Sequence, residues 1–171
     1  IYEKQVKDKF ASPAHLGDLT INVLEEMTVA DAYIEDPNIE PLPYNMPFGA
    51  FRKLVAQTTK NYWPVVDNDK KLVGVVSLKT TRMGIFEEGL DDLVVLQDVA
   101  SPLVTVTPGE NLYDALMKFL KSSYTQVVVV KESDPNAIVG YLRHEDLINA
   151  YYKEVLQRKE ESQAAKGDVI S

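Results

Sequence analysis

The chain has 171 residues, 45% of them hydrophobic, enough to bury the core of one ordinary domain or two small ones and too apolar for a disordered tail. With 26 acidic and 18 basic residues the formal charge is −8 at pH 7, which argues against a sequence-independent grip on nucleic acid or anionic lipid. Cysteine is absent, which excludes disulfides, zinc-thiolate sites and cysteine nucleophiles, and no unbroken apolar run exceeds the four residues of Val127–Val130, far short of the roughly 18 needed to span a bilayer.

The chain starts with IYEKQVKDKF, and residues 1–18 read as a linker from a preceding region, the sequence being expected to be cut from something larger. INVLEEMTVADAY (21–33), acidic and apolar, reads as a mainly helical lead-in, and NIEPL (38–42) as a short strand. PFGAFRKLVAQ (47–57) places Phe48, Phe51, Leu54 and Val55 at helical spacing. A polar hinge, TTKNY, then introduces an apolar strand, WPVVD (63–67), a turn, NDKK, and a second strand, LVGVVSLKT (72–80), which carries Gly74.

From here the pattern returns. LDDLVVLQDVA (90–100) reads as a second helical lead-in and LVTVT (103–107) as an alternating strand. TPGE offers a capping box, with Thr107 as N-cap, Pro108 at the first helical position and Glu110 at the third. NLYDALMKFLK (111–121) follows as an amphipathic helix with Leu112, Ala115, Leu116 and Phe119 on one face. The hinge SSYTQ, the strand VVVVK (127–131), the turn ESDPNA (132–137) and the strand IVGYLRHEDL (138–147), with Gly140, complete the copy. The copies are offset by 64 residues across helix and first strand and by 66 at the glycine, which puts two extra residues in the second hairpin turn. From residue 146 to about 163, Leu147, Ile148, Tyr151, Tyr152, Val155 and Leu156 share one helical face that wants a partner surface.

The ordered duplication of YWPVVDNDKKLVGVVSLKT and TQVVVVKESDPNAIVGYLRHEDL, each behind a helix, resembles the CBS domain, named after cystathionine beta-synthase, as the tandem pair called a Bateman module. The resemblance implies an α/β fold of two β-α-β-β-α units about a pseudo-two-fold axis, one over 19–89 and one over 90–157, with a tail over 158–171. It also implies two clefts between the units, with ATP, ADP or AMP as candidate regulatory ligands. A narrower resemblance rests on IYEKQVKDKF and HLGDLTINVLEEMTVADAY, which look like the segment joining the last transmembrane helix of ClC-type chloride channels and transporters to their cytosolic CBS pair. It implies the cytosolic side of a membrane, a transmembrane portion of the same chain as partner, and Tyr2 as a candidate chloride ligand; an ordinary residue at a helix end is the alternative.

In CBS pairs the glycine strand is followed by a hydroxyl residue and, three positions on, an aspartate. A carboxylate accepts both ribose hydroxyls, while a hydroxyl beside a helix N-terminus suits phosphate. Here the second copy has Arg143 and Asp146, and the first has Ser77 and Thr80. The resemblance completes the Asp146 cleft with Ile39, Glu40, Lys60, Asn61 and Tyr62; Arg143, His144 and Lys60 offset phosphate charge there, while Glu40 and Glu145 oppose it. The weaker Ser77 and Thr80 cleft borrows Val104, Thr105, Tyr124, Thr125 and Gln126. A plainer account of Asp146 is that it and Glu145 open a helix, where acids are favourable by about 0.3–1 kcal/mol without any ligand. Trp63 and Tyr62 read as packing residues at the start of the strand, and the pairs Glu25–Glu26, Glu87–Glu88 and Asp91–Asp92 as solvated faces.

His15 and His144 lie too far apart to suggest a metal cluster. No nucleophile-base set or phosphate-cradling glycine loop is apparent, so neither catalysis nor a required cofactor is expected. The expected function is a regulatory cytosolic CBS pair of a ClC-type protein that senses adenine nucleotides. The alternatives are a structural dimerisation module with empty clefts, or the regulatory pair of another membrane transporter or enzyme. Apolar helical faces at 112–119 and 147–156 exceed what two small sheets can cover, so a homodimer is expected.

Overall fold

Two apolar hairpins, each a short β-branched run folded back on a glycine-bearing strand, form the centre of the molecule. The computed structural model describes residues 17–83, 89 and 91–170; Tyr2, His15 and the pair Glu87–Glu88 lie outside them. In chain order a helix over 17–26 (α1) leads to a 3-10 turn at Val29–Asp31 and the strand β1 (Ile34–Glu35). The first repeat follows as β2 (Leu42–Pro43), α2 (Phe48–Ala56), β3 (Tyr62–Val66), β4 (Leu72–Ser77) and α3 (Leu78–Met83). The second comprises α4 (Leu96–Val99), β5 (Thr105–Val106), α5 (Leu112–Ser122), β6 (Gln126–Lys131), β7 (Asp134–Arg143) and α6 (His144–Ile170).

Each repeat builds one sheet, in the orders β2-β3-β4 and β1-β7-β6-β5. Strand β6 explains why its four valines run unbroken. Successive side chains point to opposite faces, so Val127 and Val129 enter a core with Phe119, Leu142 and Leu147, while Val128 and Val130 meet Leu72 and Val75 of the other sheet. A strand buried on both faces reads as continuous rather than alternating. In the first repeat Val76 likewise turns toward Phe48, Phe51 and Trp63, and Val75 toward the shared layer.

The lead-ins cross over. Strand β1 pairs antiparallel with β7, at Ile34 opposite Tyr141 and Glu35 opposite Gly140, and Ser101 bridges Val75 of β4. Val23, Leu24, Met27 and Val29 fill the second repeat's core, while Leu96 fills the first's. Helix α1 is also tied to α6, through Thr20 to the Tyr151 hydroxyl at 2.9 Å and Glu26 to Arg158 at 2.6 Å. The glycines mark these crossings: a Cβ at Gly74 would stand 2.9 Å from the Ser101 carbonyl oxygen, and one at Gly140 would overlap that of Ile34.

Several expectations are corrected. The lead-in over 21–33 is helical only to residue 26, and that over 90–100 holds one four-residue helix, α4. Only Leu42 of 38–42 joins a strand, and 103–107 contributes Thr105–Val106. TPGE is a turn, not a helix start: the N-cap of α5 is Asn111, whose side-chain oxygen accepts from the Asp114 amide at 2.8 Å. Glu110 instead accepts from the Thr107 amide at 2.7 Å and from Lys118 at 2.6 Å. The second hairpin turns at residues 132–133, and its extra residues bulge strand β7, where the Asn136 side-chain oxygen Oδ1 accepts from the Leu72 amide at 3.0 Å. Helix α6 reaches Ile170 rather than stopping near 163. Among the acid pairs, Glu26 binds Arg158, and Asp91 lies 3.4 Å from Arg52.

Candidate functional site

The loop after β1, the hinge into β3, the start of β6 and the end of β7 enclose a cleft of about 590 Å³ between the repeats. Seven expected residues line it: Ile39, Glu40, Lys60, Asn61, Tyr62, Arg143 and His144. Asp36, Thr59, Trp63, Pro64, Val128, Gly140, Tyr141 and Glu145 complete the wall, together with Thr125 and Gln126, which the sequence had assigned to the other cleft. Thr125 and Gln126 turn this way because the Thr125 carbonyl accepts from the His144 amide at 2.9 Å and Gln126 pairs with Arg143 across the β6–β7 ladder. Tyr141 was legible in principle, as it lies two residues before Arg143 on the same strand face. Asp36 was not, since nothing local marks where the loop after β1 goes.

Asp146 is not among the lining residues. Its carboxylate is held by Arg143: Oδ2 accepts from Nε at 2.7 Å and from the Arg143 amide at 3.3 Å, and Oδ1 accepts from Nη2 at 2.8 Å. Glu145 takes Nη1 at 2.8 Å. The hydrogen bonds that the guanidinium donates to Asp146 hold its proton more tightly than usual, with Coulombic attraction from Asp146 and Glu145 adding to them against the cost of desolvation. The plainer account of Asp146, as a group that opens α6, therefore describes its contacts.

Deeper in the cleft, the hydroxyl of Tyr62 is buried and has no hydrogen-bond partner among the described residues. Burial, and to a lesser degree the nearby Tyr124, push this phenol well above the ordinary tyrosine range. Trp63 packs as expected, its ring edge-on to Phe51 at 5.2 Å.

The second cleft does not assemble as expected. Thr80 is buried, and its hydroxyl accepts from the Ser77 amide at 3.1 Å. The Tyr124 hydroxyl donates to the Pro102 carbonyl at 2.7 Å, the Thr105 carbonyl accepts from Lys118 at 2.8 Å, and Val104 packs against the second repeat's core. Another cavity, of about 490 Å³, is lined by residues such as Tyr44, Asp67, Val73 and Gln97, and takes in none of the residues assigned to that cleft. Among the described residues no cluster of three or more histidine, aspartate or glutamate side chains is placed to hold a metal, and no helix is long and apolar enough to cross a membrane.

Known structures share this architecture. The CBS domains of a bacterial CNNM/CorC family Mg2+ transporter, solved in complex with ATP, superpose with a TM-score of 0.64 at 17% identity, covering 78% of this chain and 92% of that one. CBSX2 in complex with AMP gives 0.56 at 21% identity, over 74% of this chain and 97% of that one. The CBS domains of a Streptococcus pneumoniae transcriptional regulator give 0.55 at 18% identity, over 72% and 98%. No curated protein sequence matches the chain. The model of the CBS domain matches twice, at residues 29–80 and 96–153, once for each hairpin and its helices. On that double match, which spans most of the sequence, the chain belongs to the CBS domain family.

Proposed function

We propose that this CBS pair is a regulatory module that binds an adenine nucleotide in the cleft between Lys60, Tyr62, Tyr141 and Arg143. The observation that carries the reading is the cleft itself, about 590 Å³ shared by both repeats, with apolar walls from Ile39, Pro64 and Val128 and a polar rim. Small-molecule sites are likewise concave and set polar groups that fix orientation beside apolar walls, although this lining is more polar than most. Structures of the same fold hold ATP and AMP, which supports the choice of ligand class. Asp146 acts in this reading by fixing Arg143 at the rim. Titration calorimetry with ATP, ADP and AMP tests the proposal. Saturable binding that Ile39→Trp weakens by at least about tenfold, by filling the cleft from a loop, supports it. No binding of any nucleotide at millimolar concentration overturns it.

One observation favours the structural-module reading: three of the five N–H donors of Arg143 already face Asp146 and Glu145. We keep it as the outcome of a null titration. The module assembles as a homodimer in this proposal, through Leu120 of α5 and Tyr152 and Leu156 of α6, which remain 60–63% exposed. A CBS domain from a Mg2+ transporter among the similar folds is in keeping with attachment, on the cytosolic side, to a membrane transporter. The ClC-type assignment stands on the resemblance of residues 1–33 alone, and the structural comparisons add nothing to it. No catalytic role is proposed.

A further inference from the structure

We propose that the cleft is a charge filter, which admits adenosine and its monophosphate and rejects the metal-free triphosphate, with Glu40 and Glu145 as the specificity-determining residues. This rests on the nucleotide reading and deepens it. Three carboxylates, Asp36, Glu40 and Glu145, line the cleft against two permanent cations, Lys60 and Arg143. One of those cations is spent: the guanidinium of Arg143 gives Nε and Nη2 to Asp146 and Nη1 to Glu145, all at 2.7–2.8 Å. Lys60 takes part in none of the ion pairs among the described residues, and its exposed ammonium stands at the rim. One cation can balance one phosphate. Each further phosphate would enter a field in which Asp36, Glu40, Glu145 and the adjoining Asp146 outnumber Lys60 and Arg143, and like charges within about a Debye length, roughly 8–10 Å, repel.

Glu40 and Glu145 are exposed, so neither holds the fold, and each can be changed to its amide. Glu40→Gln alters the field alone. Glu145→Gln also frees Nη1 of Arg143 for a ligand, and is expected to act more strongly. The experiment is titration of the whole chain with adenosine, AMP and ATP in EDTA at low salt, for wild type and both variants. The expected result is that wild type binds adenosine and AMP at least about tenfold more tightly than ATP, and that each substitution improves ATP binding about 3- to 10-fold with no change for adenosine. Added salt should narrow the gap between AMP and ATP. ATP binding as tight as AMP in wild type, or substitutions that move adenosine and ATP alike, overturns the filter while leaving the nucleotide site intact. No binding by any of the three overturns the nucleotide site itself, and the filter with it.

Discussion

Thr80 and Asp146 stand three residues beyond equivalent strand ends, and both reach back to the strand-end amide, of Ser77 at 3.1 Å and of Arg143 at 3.3 Å. One local bond thus serves both repeats, made by a hydroxyl in one and a carboxylate in the other. Asp146→Ala should cost about 1–2 kcal/mol in urea unfolding, because it removes a capping acceptor and the largely buried partner of the half-exposed Arg143; Asp146→Asn should recover part of that loss. Tyr62 behaves in the opposite way. Its hydroxyl is buried with no hydrogen-bond partner among the described residues, so Tyr62→Phe should leave the ligand-free protein equally stable or more stable by up to about 1 kcal/mol. The folded state holds this proton more tightly than an unfolded chain, where tyrosine titrates near about pH 10. Its contribution to stability is therefore intact below that pH and lost as the pH climbs toward the raised folded value. Wild type should lose stability above pH 10 faster than Tyr62→Phe, as measured by denaturant midpoints on either side of that pH. The sequence pointed to seven of the residues that border the cleft, but it also placed Asp146 there and did not show that Arg143 would be claimed by Asp146 and Glu145. Side-chain pairing of that kind depends on the angle at which β7 passes into α6, which no spacing rule contains.

At the level of elements, the glycines explain why the same corner is built twice. A lead-in backbone lies directly against each, so a methyl group there has nowhere to go. Overpacking of this kind costs about 1–3 kcal/mol or more. Gly140→Ala should be the worse of the two, as its Cβ would overlap the Ile34 carbonyl, whereas Gly74→Ala meets Ser101 at 2.9 Å. Thermal denaturation of the two variants would rank them. The helices and long strands were legible because their apolar residues recur at periods of 3.6 and 2. The lead-in contacts were not: two residues of β1 and a single bridge at Ser101 carry no period, and their partners lie 105–107 positions away for β1 and 26 for Ser101. TPGE misled for a different reason. Thr107 and Glu110 do share a reach-back hydrogen bond, but with Pro-Gly between them it closes a turn, and Asn111 with Asp114 repeats the motif where the helix begins.

For the whole molecule, the proposed homodimer rests on the exposed apolar side chains of α5 and α6. Leu120→Glu combined with Leu156→Glu should turn a dimer into a monomer in sedimentation at tens of micromolar, without unfolding either sheet, since both side chains point to solvent in the single chain. A strictly monomeric wild type would remove the assembly proposal. The crossing of the lead-ins has a consequence for how such a chain could arise and how it can be cut. Residues 17–35 complete the second sheet and core, and residues 91–101 complete the first. Severed near residue 90, neither half carries its own missing pieces, so each should stay unfolded alone while the two fragments, mixed, should complement one another into one folded species. A single repeat of this kind would meet the same need only by borrowing the lead-in of a second copy, so the two repeats of this chain fold as a couple, each lending the other what it lacks.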